Sequence, residues 1–124
     1  MSELTCRQVY TVGRSEVRSI DVDFGENTAG QETGALKAGD TLASATVSVA
    51  EKPSGASDPT LTSPVVNSGT VYVNGRACSA GECATFKATL GAAQTLGRYV
   101  LLISGTTTNG ETIRRRLLLD VGAE

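Results

Sequence analysis

Histidine is absent from this 124-residue chain, and with it go the commonest general base and the commonest metal ligand. Tryptophan is also absent, and aromatic residues make up only 4% of the chain. A core built without them is thin and aliphatic. The hydrophobic share is 40%, much of it Ala and Val, on a length that suits one hydrophobic core. Charge of either sign is scarce in excess: eleven basic and thirteen acidic residues leave a net −2. That balance offers no long-range field to gather nucleic acid or an anionic membrane, so neither is an expected partner. No apolar run approaches the length of a membrane span. The start, Met1-Ser2-Glu3-Leu4-Thr5-Cys6, has no basic stretch followed by an apolar one, and so does not read as a secretory signal. The expectation is a protein made and assembled in the cytoplasm.

Cysteine is sparse and odd in number: Cys6, Cys78 and Cys83. An odd count does not fit a closed disulfide framework. Cys78 and Cys83 flank the short turn Ser79-Ala80-Gly81-Glu82, where a disulfide is geometrically possible and a pair of reduced thiols is the expected state in a reducing cytosol.

What is present is a period of two. Ile20, Val22 and Phe24 alternate with Ser19, Asp21 and Asp23, a half-buried strand with one wet face. From Gly25 to Asp40 no apolar period survives, and the stretch reads as a long loop. In Leu42 to Ala50, Ala43, Ala45, Val47 and Val49 are expected to face one way and Ser44, Thr46 and Ser48 the other. Glu51 to Thr60 carries Pro53 and Pro59 and reads as an exposed connection. A short edge strand is expected between Leu61 and Val66, interrupted by Pro64. Asn74-Gly75 and Asn109-Gly110 each mark a hairpin, since Asn-Gly tolerates the positive φ of a type I′ turn. Between them Ala84, Phe86, Ala88 and Leu90 alternate with Thr85, Lys87 and Thr89. No segment carries a 3.6-residue apolar period. The sum is about seven antiparallel strands, an all-β sandwich.

Catalytic chemistry is hard to find. There is no serine nucleophile elbow, phosphate-binding loop or glycine fingerprint. Asp21 and Asp23 read as a solvated strand face rather than a carboxylate pair, and Asp40 and Asp58 as turn residues. No loop has the spaced acidic ligands that calcium needs, and Cys78 with Cys83 falls short of a zinc site. Arg114-Arg115-Arg116 is too short, and too poor in neighbouring aromatics, for a nucleic-acid patch; its stems are expected to cover apolar surface. The expectation is therefore no enzyme, no cofactor and no metal.

Leu96-Gly97-Arg98-Tyr99-Val100-Leu101 resembles the tyrosine corner of immunoglobulin-like folds, though the chain lacks the Cys–Trp–Cys core of antibody domains. Three further stretches resemble a family of small immunoglobulin-like virion proteins of tailed bacteriophages. They are Arg18 to Phe24; Lys37 to Val47, with its Gly39-Asp40-Thr41 motif; and Gly97 to Val121, with its Thr-rich hairpin. The segment around Cys78 and Cys83 and the extended stretch 51–68 depart from that family's compact pattern. The resemblance implies a virion structural protein, either a capsid decoration protein or a tail–fibre adaptor. Its partners would be major capsid or tail proteins and copies of itself. The competing class is an extracellular adhesive or carbohydrate-binding module; it normally needs exposed aromatics, and only Tyr10, Tyr72 and Tyr99 are on offer.

The expected organisation is an N-terminal arm, residues 1–15, and one immunoglobulin-like sandwich, residues 16–124. Leu4, Val9, Tyr10 and Val12 in the arm are apolar with no evident place in a seven-strand core, so they are the expected partner-binding residues. The loops 25–40 and 51–66 are the expected secondary contacts, because segments without internal periodicity can order on a partner's surface.

Overall fold

The computed structural model describes residues 6–25, 36, 39–73 and 75–122. Among these the chain is all-β, without a helix. The strands are β1 (Cys6–Gly13), β2 (Val17–Asp23), β3 (Leu42–Glu51), β4 (Thr60–Leu61), β5 (Val65–Val66), β6 (Val71–Val73), β7 (Arg76–Cys78), β8 (Cys83–Thr89), β9 (Gly97–Thr107) and β10 (Thr112–Gly122).

One sheet has the order β1-β10-β9-β3. The second has the order β2-β8-β4, with β5 also on β8. Alternation decides which residues lie between them. Leu101, Ile103, Ile113, Leu117 and Leu119 from the first sheet meet Ile20, Val22, Ala84, Phe86 and Ala88 from the second in one buried cluster. Each such side chain contributes about 1.5–3 kcal/mol of transfer free energy on full burial, and this shared core is what holds the sheets together. At Gly105 the core is so tight that an added Cβ would stand 2.6 Å from Leu42 on the neighbouring strand and 3.1 Å from Phe24, just past β2.

Three expectations need correction. Residues 6–13 are not an arm. They form β1, which pairs parallel with β10, Val9 opposite Leu118 and Val12 opposite Val121. In β3 the alternation slips at its start: a bulge between Leu42 and Ser44 buries Leu42 and leaves Ala43 exposed. Beyond the bulge Ala45, Val47 and Val49 turn to the core as expected. Finally, the outer face of the second sheet is not uniformly wet. The hairpin β6–β7 lies over one end of it, so Asp23 is buried and Asp21 half-buried. The remainder follows the pattern. Both Asn-Gly hairpins form, with Gly75 and Gly110 at positive φ, and the 61–66 stretch is split around Pro64 into β4 and β5.

Candidate docking surface

The expected partner-binding residues do not come together as a free surface. Leu4 lies outside the described residues, as do 26–35, 37 and 38 of the expected contact loop. Val9 stands in β1. Tyr10 is half-buried against the core, and its hydroxyl donates to the carbonyl of Asp21 at 3.5 Å. Val12 is 3% exposed and belongs to the core itself. Burial gives Tyr10 and Val12 a structural use that a seven-strand count left no room for. A β-rich run, Val9-Tyr10-Thr11-Val12, was the signal for this strand.

The polar side chains singled out by sequence mostly tie loops down. Asp40 accepts from the Thr41 N–H at 2.8 Å and from the Thr108 hydroxyl, fastening the start of β3 to the β9–β10 turn. The Thr108 bond, with smaller contributions from Thr41, Thr107 and Asn109, holds the Asp40 carboxyl below the usual carboxylate range against the opposing cost of burial. Asp58 pairs with Lys52 at 2.9 Å across an exposed turn. Asp21 accepts from the Thr85 hydroxyl. Arg115 points inward, its guanidinium 5.5 Å from the Phe24 ring centroid and donating to the Arg114 carbonyl at 2.9 Å. Arg98 and Asp120 form a two-pronged ion pair at 2.8 and 3.0 Å, which lowers the Asp120 carboxyl. Among the described residues no three His, Cys, Asp or Glu side chains gather as a metal site.

Tyr99 is fully buried at the head of β9, and its hydroxyl donates to the Thr95 carbonyl four residues upstream at 2.7 Å. Gln94 Nε2 donates to the same hydroxyl at 3.1 Å and to the Ser57 carbonyl at 2.8 Å. Arg14 Nε reaches the Gln94 carbonyl at 2.8 Å. Gln94, bonded to the buried tyrosine, thus links the 91–96 and 53–58 loops and the β1–β2 turn. A shallow depression of about 420 Å³ beside it is lined by Gly55, Ser57, Gly91, Ala93, Gln94 and Thr95, and the Gln94 side chain there is already committed.

The feature that sequence reasoning passed over is the edge formed by β3. Among the described residues this strand is the last in its sheet, and at ten residues it is one of the longer strands. From Thr41 to Ala50 it carries no charge and no proline. Natural sheets usually guard an edge with Lys, Pro or a bulge, because its unpaired N–H and C=O groups are a template for another strand. Here the guards stand only at the ends: the bulge at Leu42/Ser44, a second irregularity at Val49/Glu51, and then Lys52-Pro53. Between them Thr46 and Ser48 are exposed. Alongside runs a groove of about 230 Å³, lined by Ala45, Thr46, Val47, Leu61, Thr62, Ser63 and Pro64, none of them charged. An open edge with an uncharged groove beside it is the geometry of strand addition, in which main-chain bonds supply affinity and the groove selects side chains.

No protein-family model and no curated protein matches the chain. Among solved structures it is similar to a family 123 glycoside hydrolase from Clostridium perfringens studied for glycolipid glycan hydrolysis, at 8% identity and a TM-score of 0.45. That alignment covers 94% of this chain and 23% of the other, so the chain spans under a quarter of that structure's length.

Proposed function

We propose that this chain is an immunoglobulin-like, non-enzymatic attachment module of a tailed-phage virion, either a capsid decoration protein or a tail adaptor, and that it docks by adding a partner strand to the edge of β3. Two features support the immunoglobulin-like reading. Such sandwiches divide strands B, E and D from C, F and G. In chain order β2, β8 and β4 stand in the first set, and β3, β9 and β10 in the second. The Tyr99–Thr95 hydrogen bond has the form of a tyrosine corner. The virion reading rests on the resemblance in β2, in the approach to β3 and in the β9–β10 hairpin.

The observation that carries attachment is the uncharged β3 edge beside its uncharged groove. A long, unguarded edge is an aggregation hazard in a lone domain, whereas in a protein that functions bound to an assembly it is the contact. The test is co-sedimentation of the purified chain with assembled phage particles lacking their own copy. Saturable binding in many copies per particle is expected. Absence of binding to capsid and tail preparations alike would refute the virion reading.

A further inference from the structure

Beneath the hairpin β6–β7, Cys78 and Cys83 lie fully buried as thiols beside Val73, with Val71 at the margin of the cluster. The two thiols share this cluster, and Cys78 acts on the Cys83 thiol to offset part of the rise that burial imposes. The backbone on both sides of the pair is clamped by one residue. Asn67 Nδ2 donates to the carbonyls of Cys78 at 3.4 Å and Ser79 at 2.9 Å. Its Oδ1 accepts from the N–H groups of Gly81 at 2.9 Å, Glu82 at 3.1 Å and Cys83 at 3.1 Å. Its own N–H donates to the Cys83 carbonyl at 3.0 Å. The Ser79 N–H closes the turn onto Glu82 Oε1 at 2.9 Å. The sulfurs are therefore held together by a turn that is fixed without their help.

We propose that Cys78 and Cys83 form a built disulfide site, which a low-molecular-weight disulfide such as oxidised glutathione converts into an intramolecular bridge stapling the β6–β7 hairpin to β8. The exchange balances in two steps. One cysteine thiolate attacks a sulfur of the small disulfide, forming a mixed disulfide and expelling one glutathione thiolate. The second cysteine thiolate then attacks the protein-side sulfur of that mixed disulfide, closing the bridge and expelling the second. The two protons of the protein thiols pass through solvent to the released thiolates, and two electrons pass from the protein to the small disulfide. The second step is intramolecular, between thiols of one buried cluster, and a site with no exposed surface leaves no room for a lasting glutathione adduct. The first step is slow. Burial, and after it the charges of Asp21 and Asp23, push the Cys83 thiol up to about 11, so its thiolate is scarce at neutral pH. The small disulfide also reaches the pair only when the hairpin lifts, and strands of three residues each make that a local opening. The site stays reduced in a reducing cytosol and closes outside it.

The test equilibrates the folded chain and the urea-unfolded chain in graded glutathione buffers, starting from reduced and from pre-oxidised protein, followed by alkylation and tryptic digestion. Cleavage after Arg76 and Lys87 puts both cysteines in peptide 77–87, while Cys6 falls in a separate peptide. The bridged peptide carries no alkyl group and is lighter by two hydrogens. The folded chain is expected to bridge in buffers at least about tenfold more reducing than the unfolded chain requires. Two alkylatable thiols in peptide 77–87 at equilibrium in oxidised glutathione would overturn the proposal. So would a persistent glutathione adduct, or equal ratios for the folded and unfolded chains.

Discussion

At Gly81 the turn between the two cysteines has room for hydrogen only. Its φ is +84°, and an added Cβ would stand 2.6 Å from Thr41 Cβ, while the Gly81 carbonyl accepts the Leu42 N–H at 2.8 Å. Gly81→Ala is expected to cost about 1–3 kcal/mol, by strain in the left-handed region and by forcing Thr41 aside, read as a lower denaturation midpoint. Charge at single residues sets the pH limits. The folded-state carboxyls of Asp40, Asp120 and Glu16 lie below their ordinary values, held down first by Thr108, Arg98 and the Gly13 backbone respectively. A depressed acid stabilises the fold above its unfolded value and loses that contribution as pH falls through the folded one. The melting temperature is thus expected to drop below about pH 4, and Asp40→Asn is expected to flatten part of that drop. At the alkaline end the sign reverses for Cys83. Its raised value favours the neutral thiol in the fold, so its contribution is whole below the ordinary value of 9.0 and is lost as pH rises towards about 11. Cys83→Ser should remove that alkaline decline.

Among elements, β1 and β3 mark where sequence reading succeeds and where it stops. Alternation in 19–24 and 84–90 located β2 and β8, because each buries one face and a one-residue slip would expose it. The Asn-Gly pairs located both hairpins, because positive φ is a local demand. β1 went unread because its partner, β10, is distant in sequence and the pairing is parallel, which no local turn announces. A consequence can be measured. Deleting residues 1–13 removes a sheet strand and a core residue, so the truncated chain is expected to lose cooperative melting rather than keep its fold. Val12→Ala alone is expected to cost about 2 kcal/mol by denaturant titration. The edge character of β3 was equally invisible, since edge and interior strands differ in what lies beside them, not in their own alternation. Thr46→Lys with Ser48→Lys places charge on exposed positions of that edge. Melting is expected to shift by only a few degrees, within the small range of surface substitutions, while attachment falls at least about tenfold.

On the scale of the whole molecule, two sheets share one apolar core whose largest fully buried side chains are Tyr99, Phe24 and Phe86, and most conspicuous polar side chains fasten loops. Asn67 illustrates why this organisation was only partly readable. It anchors the turn at 78–83 from more than ten residues away, through seven hydrogen bonds whose geometry exists only once β5 and β8 are paired. Burial of Cys83 and Asp23 likewise follows from a hairpin folding back over a sheet face, which alternation assigns to solvent. The surface we propose for a partner is the β3 edge, an end of its sheet among the described residues, with strand pairing as the mode of contact. Hydrogen exchange of the particle-bound chain against the free chain reads this directly, because strand addition must engage the outward amides of β3 and no others to the same degree. Slowed exchange across residues 42–51 on binding, with β1 and β2 unchanged, is the predicted result. Unchanged exchange in β3, with protection confined to other segments of the bound chain, would contradict it.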